Sequence, residues 1–262
     1  SREVKIIGIF SNPETKNSSI PKMQKANSLE PFDYATAGGL GAREAYGENN
    51  GWIYRWDVPH NIADLIELMG GKEAFRNNLE TMYNTPLGEA KYVFYAQLPD
   101  HTGNVGQFSM ANEPSMHIPY LYNYIGEPWR TQKRVRTLLD EWFRNDLMGL
   151  PGDEDGGGMS AFVVFSMLGF YPITPGLPIY VIGTPMFERA VIETGAGKSF
   201  EVIAHNYSPT NKYIQSAKLN GKDWNQSWFE HKELMNGGKL EFTMGNTPNK
   251  NWAADSVPLL LK

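Results

Sequence analysis

Apolar residues recur at helical spacing through the middle of the chain and in short β-branched runs over its last part. In DVPHNIADLIELMGG, Ile62, Leu65, Ile66 and Met69 share one face, Pro59 opens the segment and Gly70-Gly71 stops it. KEAFRNNLETMYN repeats the style, with Phe75, Leu79 and Met82 on one face. Two more helices are expected at PSMHIPYLYNYIG and at EPWRTQKRVRTLLDEWFRNDL, where Trp129, Val135, Leu138, Leu139, Trp142 and Phe143 form a broad apolar stripe. A fifth, MSAFVVFSMLGF, is apolar almost all round and predicts a buried helix. Beyond Pro172 the runs IYVIG, RAVIET, SFEVIAH, YIQSAKLNG and KLEFTM, separated by Gly, Asn and Pro, read as strands with turn punctuation. Residues 11–51 show little period and are dense in Asn, Ser, Pro and Gly, and a loop of that length is usually functional or disordered.

Helices and strands in separate blocks predict an α+β fold. The expected divisions are an irregular segment over 1–56, helices over 57–177 and an antiparallel β-rich region over 178–262. The helices come in pairs that suit a helical toroid, but they are too few to close one of six hairpins, so the chain would hold part of it.

Composition narrows the function. The 262 residues are 41% hydrophobic and 13% aromatic, which a disordered chain would not be. With Lys+Arg at 24, Asp+Glu at 29 and no basic run, no footprint for a phosphate backbone is visible, and nucleic acid is not an expected partner. No apolar stretch reaches the roughly 20 residues that span a bilayer. The opening SREVKIIGIF carries no signal-peptide pattern, and a start at Ser1 leaves open the expectation of a mature or excised fragment. The absence of cysteine excludes disulfides, thiolate metal sites and a Cys nucleophile, and leaves the compartment open.

Three strings concentrate polar and aromatic groups. EAYGENNGWIYRWDVPHN sets Glu48 four residues before Trp52, close to Tyr54, Trp56 and Asp57, and aromatic faces beside a carboxylate suit a sugar ring. The plainer reading is a loop packed on a helix start, with Asp57 as cap and Glu48 in solvent. QFSMANEPSMHIPYLYNY places Asn112, Glu113 and Ser115 before a helix, where an acid also serves as a dipole partner, and His117 on that helix can equally be a packing residue. LPGDEDGGGMSAFVVF crowds Asp153, Glu154 and Asp155 ahead of three glycines and an apolar helix. Dipole compensation accounts for one carboxylate; three call for a cation, or for a base with a raised pKa, unless they merely decorate the loop. The run is too short for an EF-hand loop. No GxGxxG, GxxxxGK[ST], HExxH or GxSxG occurs. Carboxylate chemistry remains, and two acids flanking a glycosidic bond in an aromatic pocket are what glycoside hydrolysis needs, with Glu48 and the Asp153/Asp155 loop as candidates.

Together PFDYATAGG, GENNGWIYRWDVPHNIADLIELMGGKEAF, NEPSMHIPYLYNYIGEPWRTQKRVR and LPGDEDGGGMSAFVVFSMLGFYPITPGLPIYVIGTPMF resemble glycoside hydrolase family 92, the calcium-dependent exo-α-mannosidases, over about residues 31–187. The resemblance implies a partial (α/α)6 toroid, the C-terminal part of a catalytic region whose N-terminal half is a β-sandwich of the same enzyme. It implies removal of terminal mannose from α-mannoside glycans, N-glycans included, with inversion, in a periplasmic or extracellular setting. It casts Glu48 as general acid and Asp153 and Asp155 as the acids from which the base is drawn. Trp52, Asn112, Glu113 and His117 would contact substrate, and Glu113 and Glu154 would ligate Ca2+. Where the family commonly has His-His after NEPS this chain has Met116-His117, where it has Trp-Tyr after MSA this chain has Phe162-Val163, and Asn112-Glu113 replaces the His-Glu of α1,2-specific members. A trehalase-like toroid enzyme would share the carboxylate chemistry but not NEPS with LPGDEDGG. A non-catalytic carbohydrate-binding module is the alternative of a different class, one with no need for a Glu and a distant Asp pair to converge on one sugar.

Overall fold

The computed structural model describes residues 49–88, 90, 102–195 and 197–260. Its elements are α1 (Gly51–Tyr54), α2 (Ile62–Leu68), α3 (Lys72–Asn84), the hairpin β1 (Asn104–Val105) and β2 (Phe108–Ser109), 3-10 turns at Glu113–Ser115 and Ile118–Ile125, and α4 (Pro128–Trp142). A third 3-10 turn, Asp155–Gly157, leads into α5 (Gly158–Leu168). Strands then dominate: β3 (Phe170–Tyr171), β4 (Ile179–Ile182), β5 (Arg189–Gly195), β6 (Lys198–His205), β7 (Tyr213–Leu219), β8 (Lys222–Asp223) and β9 (Trp228–Glu230), followed by α6 (His231–Met235) and β10 (Gly238–Gly245). The fold is mixed α+β. The chain divides into two compact units, one from the described residues of Ser1–Ile118 with Asp146–Met159, the other from Pro119–Asn145 with Ser160–Lys262.

In the first unit α3 follows its periodicity, burying Phe75, Leu79 and Met82 together with Tyr83. α2 starts later than Pro59 proposes, because the Asn61 side chain accepts from the Asp64 N–H and caps it. It stops at Gly70 and Gly71, both at positive φ (99° and 94°). Trp56 is fully buried, edge-on to Phe75 at 5.2 Å, with its Nε1–H directed at Met82 Sδ. The β1–β2 hairpin caps the end of α3: Gln107 N–H donates to the Met82 carbonyl and Tyr83 packs on Phe108.

The second unit holds a five-stranded sheet ordered β5-β6-β10-β7-β8 and a three-stranded sheet ordered β3-β4-β9. Alternation along β6 and β10 buries Phe200, Val202 and Ala204 against Leu240, Phe242 and Met244. Antiparallel pairing dominates, as the pattern anticipates, but β6 and β10 run parallel because the chain returns between them through β7, β8, β9 and α6 rather than by a hairpin. The two sheets share an aromatic core in which Phe229 meets Phe170, Tyr180 and Phe200. β7 and β8 are joined by Asn220-Gly221, both at positive φ, the two-residue turn whose twist matches antiparallel strands.

Three helical expectations change. The NEPS…YNY stretch forms 3-10 turns instead of one α-helix, with Pro114 and Pro119 lacking the N–H that α-helical bonding needs and Tyr120, Leu121, Tyr122, Asn123 and Tyr124 buried on all sides. In α4 the buried face includes Thr131, Gln132 and Arg136, while Trp129 is half-buried. Partners make that possible: Gln132 Oε1 accepts from the Ile214 N–H, and Arg136 donates to the Pro185 carbonyl. α5 is not buried all round, since Val164 stays 57% exposed beside exposed Ser160 and Ala161. Apolar composition reports what a helix can bury, and here only one side finds a neighbour.

Candidate active site

Every described candidate residue from the sequence falls in the first unit. Glu48, the proposed acid, lies outside the described residues; they begin at its neighbour Asn49. That asparagine is fully buried in the left-handed region (φ 50°), with its Nδ2 donating to Ser109 Oγ at 3.3 Å and its Oδ1 accepting from the Asn50 N–H. Asn50 then caps α1, its Oδ1 accepting from the Trp52 N–H at 3.0 Å. α1 packs on β2 and on the Glu113–Ser115 turn. Trp52, half-buried, has the Arg55 guanidinium 5.2 Å from its ring centroid, and Arg55 is itself tied to Asn78 Oδ1. The capping string ENNG and the Trp-x-x-Arg spacing were signals for these supports; the hydrogen bond from Asn49 to Ser109 had none.

The acidic loop reaches the same turn through glycine. Gly152 is at φ 67°, and a Cβ there would lie 2.7 Å from Ala111 Cβ and 2.9 Å from its carbonyl oxygen, so the chain passes as close as backbone permits. At the far end of the loop a Cβ on Gly158 would meet Glu113 Cγ at 3.4 Å and its Oε1 at 3.7 Å, so the Glu113 carboxyl lies beside the first residue of α5. That is a favourable place for negative charge. Between these contacts the three acids separate by role. Glu154 Oε2 accepts from the Gly157 N–H at 2.6 Å and caps the turn. Asp153 and Asp155 are exposed, and their side chains make no hydrogen bond or ion pair among the described residues. Asp155 (φ 56°), Gly156 and Gly157 are all at positive φ, which the triple glycine makes feasible.

His117 is buried, and its Nε2 lies 2.8 Å from the Trp56 carbonyl, which can only accept. Nε2 therefore carries the proton and Nδ1 is left as an acceptor. Burial lowers its pKa, opposed by the Trp56 carbonyl and the charge of Asp57, so the ring is held neutral. Ser115, named in the sequence with Asn112 and Glu113, is fully buried.

The structure thus gathers Trp52, Asn112, Glu113, His117 and the Asp153–Asp155 loop around one turn. Among the described residues no group of three or more His, Asp or Glu could hold a metal ion. The described acids do not by themselves make a calcium cage.

Residues 10–246 match the family described as glycosyl hydrolase family 92 catalytic domain. The chain belongs to glycosyl hydrolase family 92. It is similar to an uncharacterized secreted glycosidase of Arthroderma benhamiae, 33% identical over 207 residues, which are 78% of this chain and 24% of that protein. Among solved structures it is similar to a family 92 α-mannosidase of Bacteroides thetaiotaomicron in complex with mannoimidazole, at TM-score 0.87 and 33% identity, over 96% of this chain and 33% of the other. An inverting family 92 mannosidase of Bacteroides thetaiotaomicron gives TM-score 0.80 at 34% identity, over 96% and 34% of the two chains. The family 92 chain therefore spans about a third of the length of these solved relatives and about a quarter of the fungal one.

Proposed function

We propose that this chain supplies part of the catalytic region of an exo-acting α-mannosidase that removes terminal α-linked mannose with inversion. In that reading Glu48 is the general acid, Asp153 or Asp155 is the base, and Trp52, Asn112, Glu113 and His117 bind the sugar. Residues 57–177 contribute helices of an (α/α)6 toroid, 178–262 a β-rich region and 1–56 the segment that carries the acid; a β-sandwich half of the same enzyme completes the site. The observation that carries the reading is the separation of the acids: Glu154 is engaged as a cap while Asp153 and Asp155 remain exposed and, among the described residues, unengaged on a loop docked against Ala111 and Glu113. An ionised, solvated carboxylate is what activation of water requires, and in an inverting site the two carboxyl groups stand roughly 6.5–9.5 Å apart to admit that water.

Calcium enters this reading through the family likeness. Glu113 and Glu154 are its candidate ligands, and the ion would supply positive charge against the sugar hydroxyls. A periplasmic or extracellular location is supported by the fungal relative described as secreted.

The test is made on the full-length parent enzyme. Glu48→Gln should depress cleavage of mannosides with poor leaving groups by about 10²–10⁴-fold while sparing activated aryl mannosides, and Asp155→Asn or Asp153→Asn should depress both alike. Equal loss on both substrates for Glu48→Gln removes it from the acid role. Turnover unchanged in excess chelator removes calcium.

A further inference from the structure

Trp224 and Trp252 border an open groove in the second unit that shares no residue with the candidate active site. β7, the end of β8 and the turn that follows β10 form its walls, and it encloses about 410 Å³, within the range of small-ligand sites. Trp224 is half-buried, and its Nε1–H donates to the Trp228 carbonyl at 3.0 Å. Its own carbonyl accepts from Trp252 Nε1 at 3.2 Å, so the indole is fixed at one edge.

The polar groups around it divide into two sets. Asn249 Oδ1 accepts from the N–H groups of Asn251 and Trp252, and Asn225 Oδ1 from that of Ala253; these build the turn. The Asp223 carboxylate, the Ser216 hydroxyl and the Asn251 amide line the same groove, are exposed, and make no side-chain hydrogen bond or ion pair among the described residues. Among the described residues no Lys or Arg lines the groove and a carboxylate does, which disfavours a phosphate or other anion. The polar walls equally disfavour an apolar ligand. A fixed indole beside a carboxylate, an amide and a hydroxyl matches a pyranose ring, whose C–H face lies on an aromatic surface while its hydroxyls donate and accept at the rim.

We infer that this groove binds one sugar residue of a glycan chain, in addition to the sugar handled by the candidate catalytic carboxylates. The groove takes a sugar on its own chemistry; that the sugar is mannose rests on the function proposed above.

The test is native electrophoresis of the chain in gels cast with α-mannan, with dextran or with no polysaccharide. Mannan should retard the wild type, and Trp224→Ala and Asn251→Ala should each weaken that retardation about tenfold, as expected when an anchor at the centre of a site is truncated. Trp224→Phe, which keeps an aromatic face, should retain most of it. Unfolding transitions matching wild type confirm that the variants are folded. Undiminished retardation of both Trp224→Ala and Asn251→Ala, or no retardation of the wild type by either polysaccharide, overturns the groove. So does retardation that is lost only in Asp153→Asn. Equal retardation by dextran with the same dependence on Trp224 upholds the sugar groove and overturns its preference for mannose, the part of the inference that rests on the proposed function.

Discussion

At the shared core of the two sheets the fully buried side chains are apolar, Phe170, Phe200, Phe229, Leu240 and Phe242 among them, whereas around the candidate site they include Asn49, Asn50, Ser109, Asn112 and Ser115. The first set gains from removal of apolar area from water, a non-directional term that tolerates small shifts. The second consists of groups that cost free energy to bury unless each hydrogen bond is made, so it constrains geometry more than it adds stability. The difference teaches where each region is vulnerable: the sheet core to loss of volume, the site region to loss of a close approach or a cap.

The sharpest way to break that comparison is Phe229→Ala. Its ring is fully buried and meets Phe170, Tyr180 and Phe200 at centroid distances of 5.1, 5.3 and 5.8 Å, so its removal should cost about 3–5 kcal/mol in urea unfolding. A loss below about 1 kcal/mol would mean that the aromatic core is not where the stability of that unit resides.

Gly152→Ala probes the other side. A Cβ 2.7 Å from Ala111 Cβ, at a positive φ of 67°, should cost about 1–3 kcal/mol and push the acidic loop off the Glu113 turn. In the parent enzyme kcat should fall by about 10²-fold, the penalty for a misplacement near 1 Å. Gly156→Ala is the control, since nothing lies within 4 Å of a Cβ there, although its φ of 62° still disfavours alanine. Equal kcat for the two variants would show that docking of the loop on Ala111 is not what positions its acids.

Asn50→Ala removes the cap of α1 and should cost about 1 kcal/mol. Because α1 carries Trp52, the accompanying rise in KM for mannosides should exceed any fall in kcat. A change confined to thermal stability would make Asn50 a structural residue only.

The smallest effect is a pH dependence. Burial holds the pKa of His117 below its ordinary 6.5, so the unfolded chain takes up this proton first as pH falls. The stabilisation is fully present above about pH 6.5 and is lost as pH drops through the lowered folded value. Tm of the wild type should therefore decline below pH 6.5 more steeply than that of His117→Gln, which keeps an N–H for the Trp56 carbonyl without a titrating group. Parallel Tm curves would assign the acid sensitivity elsewhere.

Much of this was readable without coordinates. Periodicity alone located α3 and the strands β5, β6, β7 and β10, because each buries one face and the apolar spacing must match the element's repeat. The strings around Trp52, Asn112 and Asp153 pointed to the family by resembling it, and the family match agrees. Local pattern failed where a partner distant in sequence decided. α4 buries Gln132 and Arg136 because the Ile214 N–H and the Pro185 carbonyl wait for them, and β10 lies parallel to β6 because of the path the chain takes between them.

Within the acidic loop the sequence by itself determined that three carboxylates precede an apolar helix, and it left them equivalent. Only the tertiary structure distinguished them: the left-handed turn at Asp155, Gly156 and Gly157 aims one N–H at Glu154, and the absence of a Cβ at Gly152 lets the loop settle on Ala111 beside Glu113. Residue identity sets which charges a chain can offer. Which of them caps the turn and which stays exposed depends on backbone geometry and close approaches beyond the reach of local pattern.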